Sequence, residues 1–200
     1  FERSNFYTAD QEANIDWGGF GTAPMFVGEH PRWGCCYQNL NLGEVYLAAD
    51  RHGQIDTLFR KFSYTARQIA QQWGEAKVSK EVRQALDQNQ PTRKFTVLHA
   101  VYPRTDRDPG KRDSRNLPWA SIYCELDHEH LLEEGGYRDF PYNVSRYFVM
   151  PGELFGRGLG MMALPDVKEL QVRVGDTTRA GQLRMAPPVI LPNDMFAGTP

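Results

Sequence analysis

The chain has 200 residues, of which 40% are hydrophobic and 24% charged, and its formal net charge is −2. This composition excludes an intrinsically disordered chain, and no apolar run is long enough to predict a membrane-spanning helix. Bulk charge provides no attraction for nucleic acid or for an anionic membrane. The three cysteines are too few for a disulfide framework, which favours a reducing compartment. Because the chain begins at Phe1 and not at Met, we expect an internal piece of a longer protein.

The first third of the chain is predicted to be the end of a helix followed by strands. Residues 1–16 are polar and fit a helix, which the next glycines are expected to break, at Gly18, Gly19 and Gly21. Short apolar runs between turn residues predict strands at 23–27, 37–42, 45–48 and 55–62. We therefore expect residues 22–62 to form one small antiparallel sheet. Apolar side chains on both faces of the last strand predict that it is covered on two sides.

Two short helices are predicted next. Thr65 and Gln68 have the spacing of a capping box, in which the hydroxyl and the amide each bond a backbone N–H group. Gly74 suits the left-handed residue that ends a helix. Ser79 can cap a second helix, which we expect to stop at 89–91.

The rest of the chain is predicted to return to strands and then to form a longer helix. Strands are expected at 95–103, 119–126, 131–132 and 140–148, with a hairpin that ends at 133–136 and a last extended run at 189–191. A charge-dense loop lies at 104–118. Residues 163–185 have helical spacing, and their glycines leave open whether 165–185 is one helix or two. This order of elements favours an α+β fold over a doubly wound sheet.

Three patterns resemble chemical sites, and each lacks a necessary part. Residues 127–130 offer four metal ligands without a second ligand pair. The glycine pattern at 155–160 resembles a phosphate-binding loop, but its third glycine comes one residue early and the P-loop lysine is absent. Cys36 has His30 nearby but no third orienting group. We therefore expect no catalytic residue, no metal and no cofactor.

Residues 65–86 leave a second function open. Their two helices resemble a helix-turn-helix, whose second helix would bring Lys80 and Arg83 to a DNA major groove. However, Glu75 stands where an apolar residue normally packs the turn, and the slightly acidic chain adds no electrostatic support. A DNA-binding regulator is therefore the alternative to an ordinary helical hairpin.

A set of short segments carries a more specific pattern, because the segments follow one another in a fixed order over about residues 20–195. They are LGEVYLA at 42–48, FRKF at 59–62, TARQ at 65–68, VLHAVYPR at 97–104, EGGY at 134–137, FPY at 140–142, PGELFGRG at 151–158, ALPDVKEL at 163–170 and APP at 186–188. This ordered set resembles the head-to-tail connecting, or portal, proteins of short-tailed phages. The chain departs mildly from that family's pattern at Tyr147, Phe148 and Phe155.

The resemblance implies a structural protein and not an enzyme. Members of the family form a ring of about a dozen copies at one capsid vertex, and double-stranded DNA is packaged and ejected through its channel. The implied partners are the terminase, tail or adaptor proteins and the capsid protein. The implied location is the virion, after assembly in the host cytoplasm.

The resemblance also implies three segments and two sets of site residues. A wing-like, mostly β segment is expected at 1–62, a stem- and clip-like segment at 63–150, and a glycine-rich turn with a channel-side helix leading back to the wing at 151–200. The charged loop and the tip at 127–130 are candidates for partner binding, with the loop cations Arg104, Arg107, Lys111, Arg112 and Arg115. A structural signature is expected at Arg60, Arg146, Gly156, Arg157 and Gly158, whose glycines permit close backbone approach.

Overall fold

The computed structural model describes residues 4–31, 34–108, 110–111 and 113–187. Helices and antiparallel sheets form an α+β fold, which confirms the predicted fold class. The elements in chain order are α1 (Phe6–Phe20), β1 (Thr22–His30), β2 (Gly34–Asn39), β3 (Val45–Ala49), β4 (Ile55–Thr65), α2 (Ala66–Trp73), α3 (Lys80–Asp87), β5 (Lys94–Pro103), β6 (Trp119–Glu125), β7 (His130–Tyr137), β8 (Tyr142–Arg146) and α4 (Leu159–Met185). The extended run expected at 189–191 lies outside the described residues.

The strands form two antiparallel sheets. The first sheet has the order β2-β1-β8, and the second has the order β3-β4-β5-β6-β7. The expectation of a single sheet for residues 22–62 is therefore wrong. The reason is that β1 takes its second partner, β8, from much later in the chain, with Phe26 opposite Tyr142. A short 3-10 turn at Leu42–Glu44 then leads from β2 into the second sheet.

The helix α1 continues through two glycines that were expected to break it. Gly18 and Gly19 lie inside the helix, which stops at Gly21, where φ is +84°. Asn5, just before the helix, covers the outer edge of β2 at Tyr37. Its side chain accepts a hydrogen bond from the Tyr37 N–H at 2.9 Å and donates one to the Tyr37 carbonyl at 2.6 Å. These two bonds replace those that a neighbouring strand would make.

Both short helices begin at the caps that the sequence predicted. The Thr65 hydroxyl accepts from the Gln68 N–H at 3.4 Å, and the Gln68 side chain accepts from the Thr65 N–H at 2.9 Å. Together they complete the capping box of α2. Ser79 caps α3, and its hydroxyl also donates to the buried carboxylate of Glu125 at 2.6 Å. This contact fixes the start of α3 against β6.

One face of the second sheet carries both hydrophobic cores. At one end, Phe62 packs beneath α2 and α3 with the other members of the first core: Ala66, Ile69, Trp73, Val78, Val82, Ala85, Phe95, Val97 and Leu132. At the other end, Leu58 packs against Tyr142 of the first sheet. On the opposite face of β4, Phe59 is half-buried and Lys61 is exposed. The expectation that this strand is covered on two sides is therefore wrong.

The later strands differ from the prediction at their ends. β7 continues to Tyr137 and does not end at 133–136. Gly136 lies where the charged loop meets the strand, and a Cβ there would lie 2.6 Å from the carbonyl oxygens of Ser114 and Trp119. β8 ends at Arg146, and the predicted extension to Phe148 is reduced to an isolated bridge.

The described part of the chain divides into two compact units, the first ending at Leu159 and the second beginning at Gly160. The boundary expected between residues 62 and 63 falls inside β4, so the second sheet continues across it. The assignment of segments to a wing, a stem and a clip stays a prediction.

α4 is one helix of 27 residues, with Pro165 in its second turn. Gly175 and Gly181 do not interrupt it, which answers the question that the sequence left open for 165–185. Every residue of the helix is exposed. None of the helices that the structure describes is both long and apolar enough to cross a membrane.

Candidate functional site

The base of the charged loop is held by ionic contacts to a partly buried carboxylate, Glu134. Arg104 directly follows β5, and its guanidinium lies 3.1 Å from the Glu134 carboxylate and donates to the Gly135 carbonyl at 3.2 Å. Arg115 approaches the other oxygen of Glu134 at 3.5 Å. The Arg104 side chain is only 10% exposed, so this predicted partner-binding residue anchors the loop to β7.

The outer part of the loop presents its charges to solvent. Lys111 lies 3.5 Å from the Asp108 carboxylate, and both side chains are more than half exposed. Such a pair contributes little stability. Arg107 is exposed and has no hydrogen bond or ion pair with another residue of the described part of the chain. Arg112, the fifth predicted cation, lies outside the described residues.

An amide side chain keeps the outer loop folded. Asn116 accepts a hydrogen bond from the Asp108 N–H at 2.9 Å, so it bridges the two sides of the loop. Its amide also donates a hydrogen bond to the Asp113 carboxylate. This bond is the main reason that the pKa of the Asp113 carboxyl is lowered. The exposed cations Arg107 and Lys111 are therefore presented by a folded loop.

The turn at 127–130 lies at the other end of the sheet from the charged loop. The Asp127 carboxylate accepts from the Thr96 N–H at 3.1 Å, near the start of β5, whereas Arg104 follows its end. At about 3.3 Å per residue the two features are about 25 Å apart. The His130 ring bonds the Lys77 carbonyl at 2.8 Å, which fastens the turn to the link between α2 and α3. The structure therefore does not bring the two predicted partner-binding regions together.

The described residues contain no group of three or more potential metal ligands. In the 127–130 turn, Asp127 and His130 are used in the hydrogen bonds just given, and Glu129 takes a left-handed backbone conformation with φ of +49°. Two of the four potential ligands at 127–130 are therefore used in hydrogen bonds to other parts of the fold.

Two arginines of the expected structural signature link different elements. Arg60 on β4 lies 3.1 Å from Glu44, and its guanidinium carbon lies 4.6 Å from the ring centre of Phe62. Arg146 at the end of β8 donates to the carbonyls of Gly53 at 3.3 Å and Leu154 at 3.4 Å. Arg146 therefore ties β8 to the turn between β3 and β4 and to the glycine-rich segment.

The two signature glycines, Gly156 and Gly158, form a close backbone contact with Gly21, and we call these three residues the glycine joint. A Cβ on Gly158 would lie 2.5 Å from the backbone nitrogen of Gly21 and 2.6 Å from the Gly19 carbonyl oxygen. The Gly156 N–H donates to the buried Thr22 hydroxyl at 2.7 Å. Arg157 points away and pairs with Glu153 at 2.6 Å. The expected close approach of backbones is confirmed, and the segment leads directly into α4.

Sequence reasoning missed a buried histidine between the two cores. His99 on β5 lies opposite Arg60 in the sheet register, and its ring stacks on Tyr123 with centres 3.8 Å apart. The Tyr142 hydroxyl lies 2.9 Å from Nδ1, and the Ser121 hydroxyl lies 3.0 Å from Nε2. A neutral imidazole can donate to one hydroxyl and accept from the other. Because Tyr142 belongs to the other sheet, His99 joins the two sheets.

The environment of His99 holds it in the neutral form. Burial, together with the positive charge of Arg60, lowers the pKa of the His99 imidazole to about 3. Burial also raises the pKa of Tyr142 and of Tyr123 above the usual range. An alternation of His99 with apolar residues in a central strand was the only sequence signal for this cluster.

Two further candidates from the sequence are Arg83, expected to contact DNA, and the cysteines at 35 and 36. Arg83, expected at a DNA groove, instead donates to the carbonyls of Glu75 at 2.9 Å and Ala76 at 2.8 Å. Arg83 therefore closes the link between α2 and α3. Cys35 is exposed, Cys36 is partly buried, and neither forms a disulfide within the described residues.

Comparisons with known proteins cover almost the whole chain. A family model described as bacteriophage head to tail connecting protein matches residues 1–199. A protein of Bordetella phage BPP-1, named "Probable portal protein", is 36% identical over 194 residues, which are 96% of this chain and 35% of that protein. The "Portal protein" of Salmonella phage epsilon15 is 32% identical over 198 residues, which are 98% of this chain and 36% of that protein. The chain thus spans about a third of the length of these two relatives.

Proposed function

The chain belongs to the bacteriophage head to tail connecting protein family, and from this membership we propose that it is part of a portal subunit. In this proposal, copies of the parent protein form a ring at one capsid vertex, and double-stranded DNA passes through the ring during packaging and ejection. The observation that carries the proposal is the similarity of nearly the whole chain to two phage proteins named as portal proteins.

The role proposed is structural and not enzymatic. The polar clusters described above, around His99, Glu125 and Glu134, each connect two elements of the fold. A net charge of −2 also suits a wall along which DNA slides, since each firm phosphate contact would have to break at every step. The virion is the location that follows from this role.

The charged loop is proposed as a docking site for a terminase, tail or adaptor protein. The support is that the cations of the loop differ in their contacts. Arg104 and Arg115 hold the base, whereas Arg107 and Lys111 are exposed at a part kept folded by Asn116. Exposed cations on a folded loop fit an acidic surface on a partner and influence its rate of association.

A double substitution tests this docking site. Arg107→Ala with Lys111→Ala should weaken binding of the terminase or adaptor to the parent ring, and the loss should shrink as salt is raised. Arg67→Ala with Lys80→Ala is the matched control, because it removes the same charge from exposed positions on α2 and α3. Equal docking of both variants and the wild type would reject the loop as the docking site.

Electron microscopy of the full-length parent protein tests the portal role itself. We expect rings with a central hole in negative stain. A helix-turn-helix regulator would instead give small oligomers that bind one DNA sequence and lose it when Lys80 is replaced. The commitment of Arg83 to two backbone carbonyls gives that alternative no support.

A further inference from the structure

A polar cleft lies on the second sheet, between the two hydrophobic cores. The helices α2 and α3 cover one end of that sheet, and the first sheet covers the other end. Between these covers, a cavity of about 190 Å³ opens over Arg60 and His99. Gln38 of β2 and Gln72 of α2 line it from the two covers, and both residues are exposed. The cleft can therefore be reached from solvent.

Arg60 is the one cation among the residues that line the cleft. Its side chain is only 18% exposed, and its Nε donates to the Glu44 carboxylate at 3.1 Å. Neither of its Nη groups makes a hydrogen bond within the described part of the chain. Four of the five N–H groups of this guanidinium are thus left to whatever fills the cleft.

The polar neighbours of Arg60 favour an occupant that accepts hydrogen bonds. The Tyr64 hydroxyl and the amides of Gln38 and Gln72 line the cleft, and none of them bonds another described residue. Each of these groups can donate. No aspartate or glutamate of the described residues lines the cleft. Glu133, which follows the same row of the sheet, instead accepts from the Trp73 indole N–H at 2.9 Å.

The size and charge of the cleft fit a small oxyanion with some water. At about 30 Å³ per molecule, the cavity has room for about six waters. A phosphate or a carboxylate presents two oxygens that match the planar fork of a guanidinium, and such charge-assisted bonds are stronger than bonds between neutral groups. Glu44 offsets part of the charge of Arg60, but its side chain is 32% exposed, so water screens it.

We propose that this cleft binds one small oxyanion, which is inorganic phosphate or the carboxylate of a small molecule, through the two Nη groups of Arg60. Gln38 donates to the same ion from the first sheet, and Gln72 donates to it from α2. The bound ion thereby links these two elements across the boundary between the hydrophobic cores. This inference does not rest on the portal role, because it uses only contacts within one subunit.

Two glutamate substitutions on α2 test the site by calorimetric titration of the parent protein. Sodium phosphate and sodium acetate are the two probes, each at constant ionic strength, and we expect one site per subunit. Gln72→Glu places a carboxylate at the cleft and should weaken binding by about tenfold or more. Gln71→Glu is the matched control, because it adds the same charge to an exposed neighbour that does not line the cleft.

The melting temperature of the parent protein gives a second measurement. Phosphate stabilises proteins in general because it is excluded from their surfaces. The increase that belongs to the site is therefore the part that the wild type and Gln71→Glu share and that Gln72→Glu lacks. Arg60→Gln should lose the same part. Should Arg60→Gln fail to fold, the comparison of the two α2 variants still decides the question.

Each outcome either supports or overturns the site. Saturable binding of either anion that Gln72→Glu weakens and Gln71→Glu retains would support it, and the tighter probe would identify the kind of oxyanion. Equal affinities of the two variants would place the anion elsewhere and overturn the inference. Absence of saturable binding of both probes would mean that water alone fills the cleft, which would also overturn it. The portal role would stand or fall separately, with the rings.

Discussion

The neutral state of His99 predicts how the stability of the protein depends on pH. In the unfolded chain this imidazole takes up a proton near its ordinary pKa of 6.5, whereas in the fold its pKa is lowered to about 3. The unfolded state therefore binds more protons between these values, and stability falls as pH decreases from 6.5 towards 3. At about 1.36 kcal/mol per pKa unit, His99 accounts for about 2 kcal/mol lost at pH 5 and about 5 kcal/mol in total. Above pH 6.5 its contribution is fully present.

Urea unfolding at about pH 7.5 and pH 5 measures this effect. His99→Gln keeps groups that can bond Ser121 and Tyr142 but removes the titrating ring. We therefore expect the wild type to lose about 2 kcal/mol more than this variant over that interval. His52→Gln is the control, because it removes an imidazole from an exposed turn. The reasoning would be refuted by equal losses in the wild type and His99→Gln, or by an NMR titration of the His99 ring centred near 6.5.

Three further changes test the fold. Gly158→Ala should destabilise the protein by about 1–3 kcal/mol, because its Cβ would overlap the opposite backbone. The control Gly175→Ala has open space around its Cβ and should not destabilise the protein. Equal melting temperatures of the two variants would contradict a tight glycine joint. Thr65→Ala should lose about 1 kcal/mol in urea unfolding, and Thr65→Ser should restore it. Glu125→Ala should lose about 1–3 kcal/mol by leaving the donors of Ser79 unpaired, with Glu125→Gln closer to the wild type. Unchanged urea midpoints would refute either contact.

Local signals in the sequence predicted local structure well. The capping box of Thr65 and the cap at Ser79 are formed by residues within three positions of each other, so the pattern alone determines them. The division of the strands between two sheets could not be predicted in the same way. β1 pairs with β8 across most of the described chain, and no short-range pattern encodes that choice.

The glycines show where sequence reading was right and wrong. Gly156 and Gly158 were predicted to allow close backbone approach, and they do. Gly18, Gly19 and Gly21 were all expected to break α1; Gly18 and Gly19 lie within the helix, and Gly21 ends it. A glycine in a sequence shows that a special conformation is possible there. Whether it is used depends on what packs against the backbone, which is a property of the folded chain.

The charged loop shows the same limit for the candidate site. Sequence composition treated its five cations as equivalent, because all lie in one charge-dense stretch. The fold separates Arg104, which is nearly buried on Glu134, from Arg107, which is exposed. His99 was missed for a related reason, since its partner Tyr142 comes from a sheet that the sequence did not assign to it.

The side chain of Asn5 has a consequence for how copies of this protein can lie side by side. Its amide group bonds both the backbone N–H and the carbonyl of Tyr37, as one residue of a neighbouring strand would. An open edge at β2 would accept a strand from any other copy, and crowded copies would then fuse through their sheets into aggregates. With Tyr37 occupied in this way, association at the β2 edge depends more on side chains, whose shapes and charges can distinguish a correct neighbour from an incorrect one.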